Sequence, residues 1–94
     1  MAIMLVAVKV ADYDTWLGTF EANGEVRKTF GCTGTHYFRN LEDRDEVIIN
    51  LQWDTQENAE RFLASDELKR TMQDAGVQGP PEVRFLEDGG RTPS

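Results

Sequence analysis

Cysteine, histidine and basic residues are scarce in this 94-residue chain, and each shortage closes off a class of function. There is one cysteine, Cys32, and one histidine, His36. A lone cysteine excludes an internal disulfide and any cysteine-based zinc site. A lone histidine excludes a histidine-rich metal site within one chain, so no metal is expected. Lys and Arg number 10 against 17 Asp and Glu, a net charge of −7. No basic stripe is available for phosphate backbones, so nucleic acid is not an expected partner. An anionic membrane surface would repel the chain for the same reason. The longest apolar run, near the N-terminus, is about eight residues and is too short to span a bilayer. It has no basic flank and no small-residue cleavage site, so no signal peptide and a cytoplasmic location are expected. The length allows one domain with a modest core, and no separate cofactor domain.

What the chain does contain reads as alternating strands and helices. Ile3 to Val10 is short, β-branched and almost continuously apolar, as in a strand buried on both faces. Asp12 or Asp14 can cap the next element, where Tyr13, Trp16, Leu17 and Phe20 recur at helical spacing. That spacing predicts one helix from Tyr13 to Phe30, stopped by Gly31 and Gly34, with Gly31 as a left-handed cap. Thr35–Arg39 reads as a second strand, Asn40–Asp45 as a charged hairpin loop and Glu46–Trp53 as a third strand. Asp54 and Glu57 suggest a capping box for a helix that buries Ala59, Phe62 and Leu63. Ser65 breaks it, and a short helix runs on through Leu68, Met72 and Ala75 to Gly76. Gly79-Pro80-Pro81 reads as a stiff turn before a last strand, Val83–Leu86. Residues 1–87 form the expected domain, and 88–94 a polar tail expected to be disordered.

The order β-α-β-β-α-β is that of an α+β, ferredoxin-like fold: a four-stranded antiparallel sheet with helices on one face. Two helical layers cover one face only. The first strand does not alternate, and Ile48 is apolar on the other face of the third strand. Leaving that face wet would expose a large apolar patch, so a homodimer packed sheet against sheet is expected. Asn50 and Gln52 would then hydrogen-bond across the interface.

The ordered set of residues resembles the dimeric α/β-barrel proteins, in particular the antibiotic-biosynthesis-monooxygenase-like and polyketide-cyclase-like small proteins. The resemblance spans roughly Leu5 to Glu87. It is carried by Val10-x-Asp12-Tyr13-x-x-Trp16, Phe20-x-x-Asn23-x-x-x-Arg27-x-x-x-Gly31-Cys32-x-Gly34, Phe38-Arg39-Asn40, Trp53 and Gly79-Pro80-Pro81-x-Val83-x-Phe85-Leu86. It implies a homodimeric barrel with an apolar pocket between the sheet and the helices of each protomer, a usual place for small ligands. It further implies a cofactor-independent monooxygenase acting on a small aromatic or polyketide-like substrate. A non-redox cyclase or isomerase, or a non-catalytic ligand-binding or structural dimer, are the alternatives. Haem degradation is disfavoured, because the segment Asn58–Met72 holds no histidine.

Three residues are candidates for chemistry. His36, the one imidazole of the chain, would serve as general base toward a phenol or ketone, or else be a polar strand residue. Asn23 lies seven residues after Trp16, and Arg27 seven after Phe20, so both continue the aromatic stripe of a regular helix. There they would meet an enolate or phenolate oxygen. If the helix rolls, Ala22, Val26 and Phe30 take the buried face instead. Where Asn23 stands, many members of the resembled group carry His. Tyr13, Trp16, Phe20 and Trp53 supply aromatic surface, either as core or as walls stacking on a planar substrate. Cys32 is expected to be a small buried apolar residue, and the acidic hairpin a solvated turn.

Overall fold

The computed structural model describes all 94 residues. Its elements are β1 (Ala2–Val10), α1 (Tyr13–Ala22), α2 (Gly24–Phe30), β2 (Cys32–Arg39), β3 (Glu46–Trp53), α3 (Gln56–Leu63), α4 (Asp66–Asp74) and β4 (Val77–Leu86). The four strands form one antiparallel sheet in the order β2-β3-β1-β4. This is the ferredoxin-like arrangement, with each helical layer divided into two helices. No helix is long and apolar enough to cross a membrane.

The first helix divides where the sequence pattern runs on. Asp12 caps α1, its carboxylate accepting from the Thr15 backbone N–H at 2.9 Å and the Thr15 hydroxyl at 2.8 Å. At Asn23 the backbone leaves helical geometry (φ −98°, ψ 14°), and the Asn23 side chain donates back to the Thr19 carbonyl at 2.8 Å. This local side-chain bond competes with the helical ladder and helps turn the chain. The second segment, α2, ends at Gly31 with φ 112°, the left-handed cap that the sequence indicates. Strand β2 begins directly at Cys32, three residues earlier than its aromatic content suggests. Gly34 lies inside it, at a register shift between Cys32 and Gly34.

Two further expectations change. The cap of α3 is Thr55, whose hydroxyl accepts from the Asn58 N–H at 3.1 Å. Asp54 instead accepts from the Thr55 N–H and the Asn58 side-chain amide, so Asp54 and Glu57 make no capping box. Gly79-Pro80-Pro81 lies within β4 rather than in a turn. β4 is an edge strand with a register shift opposite Ala7–Lys9. Proline's missing N–H is tolerated at such an edge.

All four helices pack on one sheet face. That face of β1 presents Met4, Val6, Val8 and Val10, and that of β3 presents Val47, Ile49, Leu51 and Trp53, all buried. Trp16, Ala59, Phe62 and Ala75 close the core from the helical side. The apparently continuous β1 pattern therefore does alternate. Ile3, Leu5 and Ala7 point to the opposite face and are half-buried. Cross-strand pairing sets them beside Ile48, Asn50 and Gln52 of β3, and sets Leu86 beside Ile3. Phe38 and Leu86, large apolar side chains 49% and 41% exposed, belong to the same open face. Residues 87–94 have no regular structure and are exposed.

Candidate functional site

Between the sheet and the helices is a cavity of about 80 Å³. Its floor is formed by Met4, Val6 and Val8 of β1 with Ile49 and Leu51 of β3. Trp16, Phe20, Val26, Phe62, Leu68 and Met72 wall it from the helices. The aromatic wall is locked by mutual packing. Trp16 stacks on Phe20 with centroids 4.9 Å apart, and Tyr37 meets both rings edge-on at 5.7 and 5.3 Å. Such geometries add to simple area burial and fix the rings in place.

Three polar side chains, Asn23, Arg27 and Thr71, join this apolar lining. Arg27 is 9% exposed and is the one buried charged residue. Its Nη1 donates to the Phe20 carbonyl at 2.7 Å, and its guanidinium carbon sits 3.8 Å from the Phe20 ring centroid. No carboxylate pairs with it: the ion pairs of the chain join Lys9 to Asp43, Lys69 to Asp66 and Arg70 to Glu67. Burial pushes its pKa below the ordinary arginine value, yet a guanidinium stays charged in proteins. The Thr71 hydroxyl lies 2.8 Å from the Glu67 carbonyl and 3.3 Å from Asn23 Oδ1. Its single proton serves the nearer acceptor best, which leaves Asn23 Oδ1 weakly satisfied.

Arg27 also borders a second, open groove lined by Gly24, Lys28, Gly31, Cys32, Gly34 and Asp54. The guanidinium thus stands between the apolar interior and a polar surface. Cys32 is half-buried there, its Sγ 3.5 Å from the Gly34 carbonyl, and burial pushes its thiol pKa up. A raised thiol pKa makes it a poor nucleophile at neutral pH.

The structure brings together Trp16, Phe20, Asn23 and Arg27, but across the break between α1 and α2 rather than along the one regular helix that the spacing suggests. Of the alternative face, Ala22 is exposed, while Val26 and Phe30 pack against the core, Phe30 on Phe62 at 5.4 Å, alongside the buried Arg27. The other three candidates do not reach the cavity. His36 is exposed on the opposite sheet face, its ring 4.3 Å from Phe38, because its strand neighbour Tyr37 takes the helix-facing position. Strand alternation therefore keeps His36 from acting as a base in this cavity. Tyr13 sits one turn before the lining, 5.8 Å from Trp16, with the Arg39 guanidinium 4.2 Å over its ring. Trp53 is fully buried beneath Phe62 at 5.2 Å and is core, outside the lining. Thr71 and Met72 are lining residues that sequence reasoning did not assign to the site. Thr71 follows Leu68 by three residues, so its helical spacing marks it. No three His, Cys, Asp or Glu side chains converge to hold a metal ion.

The fold has parallels among known proteins. A family model described as antibiotic biosynthesis monooxygenase matches residues 1–74. No curated protein matches the sequence significantly. An antibiotic-biosynthesis-monooxygenase-type protein from Bordetella bronchiseptica superposes with TM-score 0.78 at 16% identity, covering 93% of this chain and 96% of that one. SnoaB, a cofactor-independent oxygenase from Streptomyces nogalater, gives 0.77 at 10% identity, covering 99% and 97%. A monooxygenase from the gene ActVA-Orf6 of Streptomyces coelicolor, in complex with nanaomycin D, gives 0.64 at 21% identity, covering 99% and 92%.

Proposed function

Because the chain belongs to the antibiotic biosynthesis monooxygenase family, we propose that its cavity binds a small aromatic substrate and lets dioxygen oxidise the bound anion without a cofactor. The observation that carries this reading is the buried, unpaired Arg27 guanidinium at the edge of an apolar aromatic cavity. Oxidation of a phenol or an activated methylene by dioxygen proceeds through electron-rich phenolate or enolate character. A fixed cation in a dry site stabilises that negative charge far better than water does. Asn23 supplies an amide that can orient the same oxygen. Trp16 and Phe20 hold the ring and exclude water.

The balance is simple. A phenol loses two hydrogens, one from oxygen and one from the ring carbon that is oxidised. That carbon gains one oxygen atom, the product is a quinone, and the second oxygen leaves as water. No group that titrates near neutrality lines the cavity, so the substrate proton passes to solvent at the polar groove and Arg27 holds the resulting anion. SnoaB's cofactor independence supports direct reaction with dioxygen.

The active assembly in this reading is a homodimer with the open sheet faces together. It covers Phe38, Leu86 and Ile48 and gives the buried, unpartnered Asn50 Oδ1 a donor. The test is oxygen uptake by the purified protein with simple single-ring phenols. Uptake that is stoichiometric with quinone and lost in Arg27→Met supports the oxygenase. Turnover at equal rates with and without dioxygen assigns the cavity to cyclase or isomerase chemistry. No turnover of any substrate favours a binding protein.

A further inference from the structure

We infer that the cavity selects a small monoanion, with an apolar body no larger than one six-membered ring and a single anionic oxygen group at Arg27. This rests on reading the cavity as the substrate site, and it narrows the substrate class.

Size is the first argument. The cavity holds about 80 Å³, roughly half the ~150 Å³ of an engineered apolar cavity that accepts one benzene. On that scale the enclosed space falls short of a whole benzene ring, so a single ring enters part-way with its polar end at the mouth, and a fused-ring system does not enter. The floor resists widening. Met4, Ile49 and Leu51 are at most 5% exposed on two hydrogen-bonded central strands, and Trp16 is 3% exposed. Close-packed walls of this kind do not yield by a ring's width.

Charge is the second argument. Arg27 uses one of its five N–H donors within the protein, the bond to the Phe20 carbonyl. A cation this deep without a counter-charge is costly, and an anion presented to its free edge offsets that cost. A neutral ligand leaves the charge unanswered. A second anionic group has no partner, since no other cationic side chain lines the cavity. In the adjoining groove Lys28 is exposed, and the Asp54 carboxylate faces the same space. Asp54 opposes an additional anion there. The chain's net charge of −7 acts in the same direction.

Calorimetric titration of the whole protein tests this with four probes: benzoate, benzyl alcohol, phthalate and anthraquinone-2-carboxylate. Benzoate is expected to bind at least about tenfold tighter than neutral benzyl alcohol or dianionic phthalate. Anthraquinone-2-carboxylate is expected not to bind. In Arg27→Met the benzoate affinity falls about tenfold or more, to that of benzyl alcohol, which itself is unchanged. Benzyl alcohol matching benzoate overturns the anion, and phthalate matching benzoate overturns the single charge. Binding of the anthraquinone overturns the size limit, and means that the helical wall opens. No heat with benzoate overturns the inference as a whole. The phthalate comparison uses wild-type protein, so it decides even if Arg27→Met fails to fold. The readout needs no turnover. Benzoate binding without oxygen uptake defeats the oxygenase reading alone, and oxygen uptake without benzoate discrimination defeats this inference alone.

Discussion

Arg27 and Phe20 are bound to each other twice: the guanidinium donates to the Phe20 carbonyl at 2.7 Å and lies 3.8 Å from the centre of the Phe20 ring. The carbonyl belongs to the last turn of α1, where it also accepts from the Asn23 N–H at 3.2 Å and where the helix end gathers partial negative charge. The break at Asn23 is what allows this, because it lets the side chain of α2 fold back over the end of α1. Seven residues of sequence thereby position both an aromatic wall and a cation.

Replacing Arg27 with Met keeps the stem that packs under α1 and removes the charge. Its fold is expected to survive, since a buried unpaired charge adds little net stability. Turnover with a phenolic substrate is expected to fall by about 10²–10³, the usual loss for an oxyanion partner. Circular dichroism with steady-state oxygen uptake separates the two effects. Loss of folding and activity together would make Arg27 a structural residue.

His36→Ala is expected to leave oxygen uptake within about twofold of wild type, because strand alternation places the ring outside the cavity. A drop of about 10² or more, the signature of a lost general base, would bring His36 into the chemistry through a route the monomer does not show.

Phe38→Asp places a charge on the open sheet face, next to Ile48 in the β2–β3 ladder. Wild-type protein is expected to run at twice the chain mass in light scattering at micromolar concentration. The variant is expected to run as a monomer, because burying an unpaired carboxylate opposes association. A wild-type monomer would defeat the sheet-to-sheet dimer outright.

Gly31→Ala is expected to destabilise the fold by about 1–3 kcal/mol in a denaturant titration. The residue holds φ 112°, and an added Cβ would lie 2.5 Å from the Asp54 carboxylate. Both the backbone and Asp54 must then shift. Unchanged stability would mean that the turn can relax without cost.

The carboxylate of Asp12 accepts two bonds from Thr15, which hold its pKa below the ordinary carboxylate value. The sign follows from linkage: a depressed folded pKa contributes stability at pH above the unfolded value, and that contribution is lost as pH falls through the folded value. Asp12→Asn retains a capping oxygen without the titration. Its stability is therefore expected to fall less steeply with acid than that of wild type in melts from pH 6 to pH 3, and an identical acid limb would remove Asp12 from the pH response.

Much of the architecture was legible in the chain itself. Strand and helix periodicity, Gly31 as a left-handed cap and the helical register of Trp16 and Phe20 are local properties, fixed within a few residues of backbone. They define the element order, while the break at Asn23, which the periodicity does not show, brings Arg27 back over Phe20. Tertiary structure decided the rest. The sheet face of His36 turned on the hairpin register, where a shift of one residue inverts every side chain. Gly79-Pro80-Pro81 became strand because β4 lies at the sheet edge, where missing N–H groups have no partner to lose. Trp53 became core, and Thr71 became lining, through how α3 and α4 settle on β1 and β3. The size of the cavity, and the isolation of the Arg27 charge inside it, arise from packing between segments far apart in sequence, which no local pattern encodes.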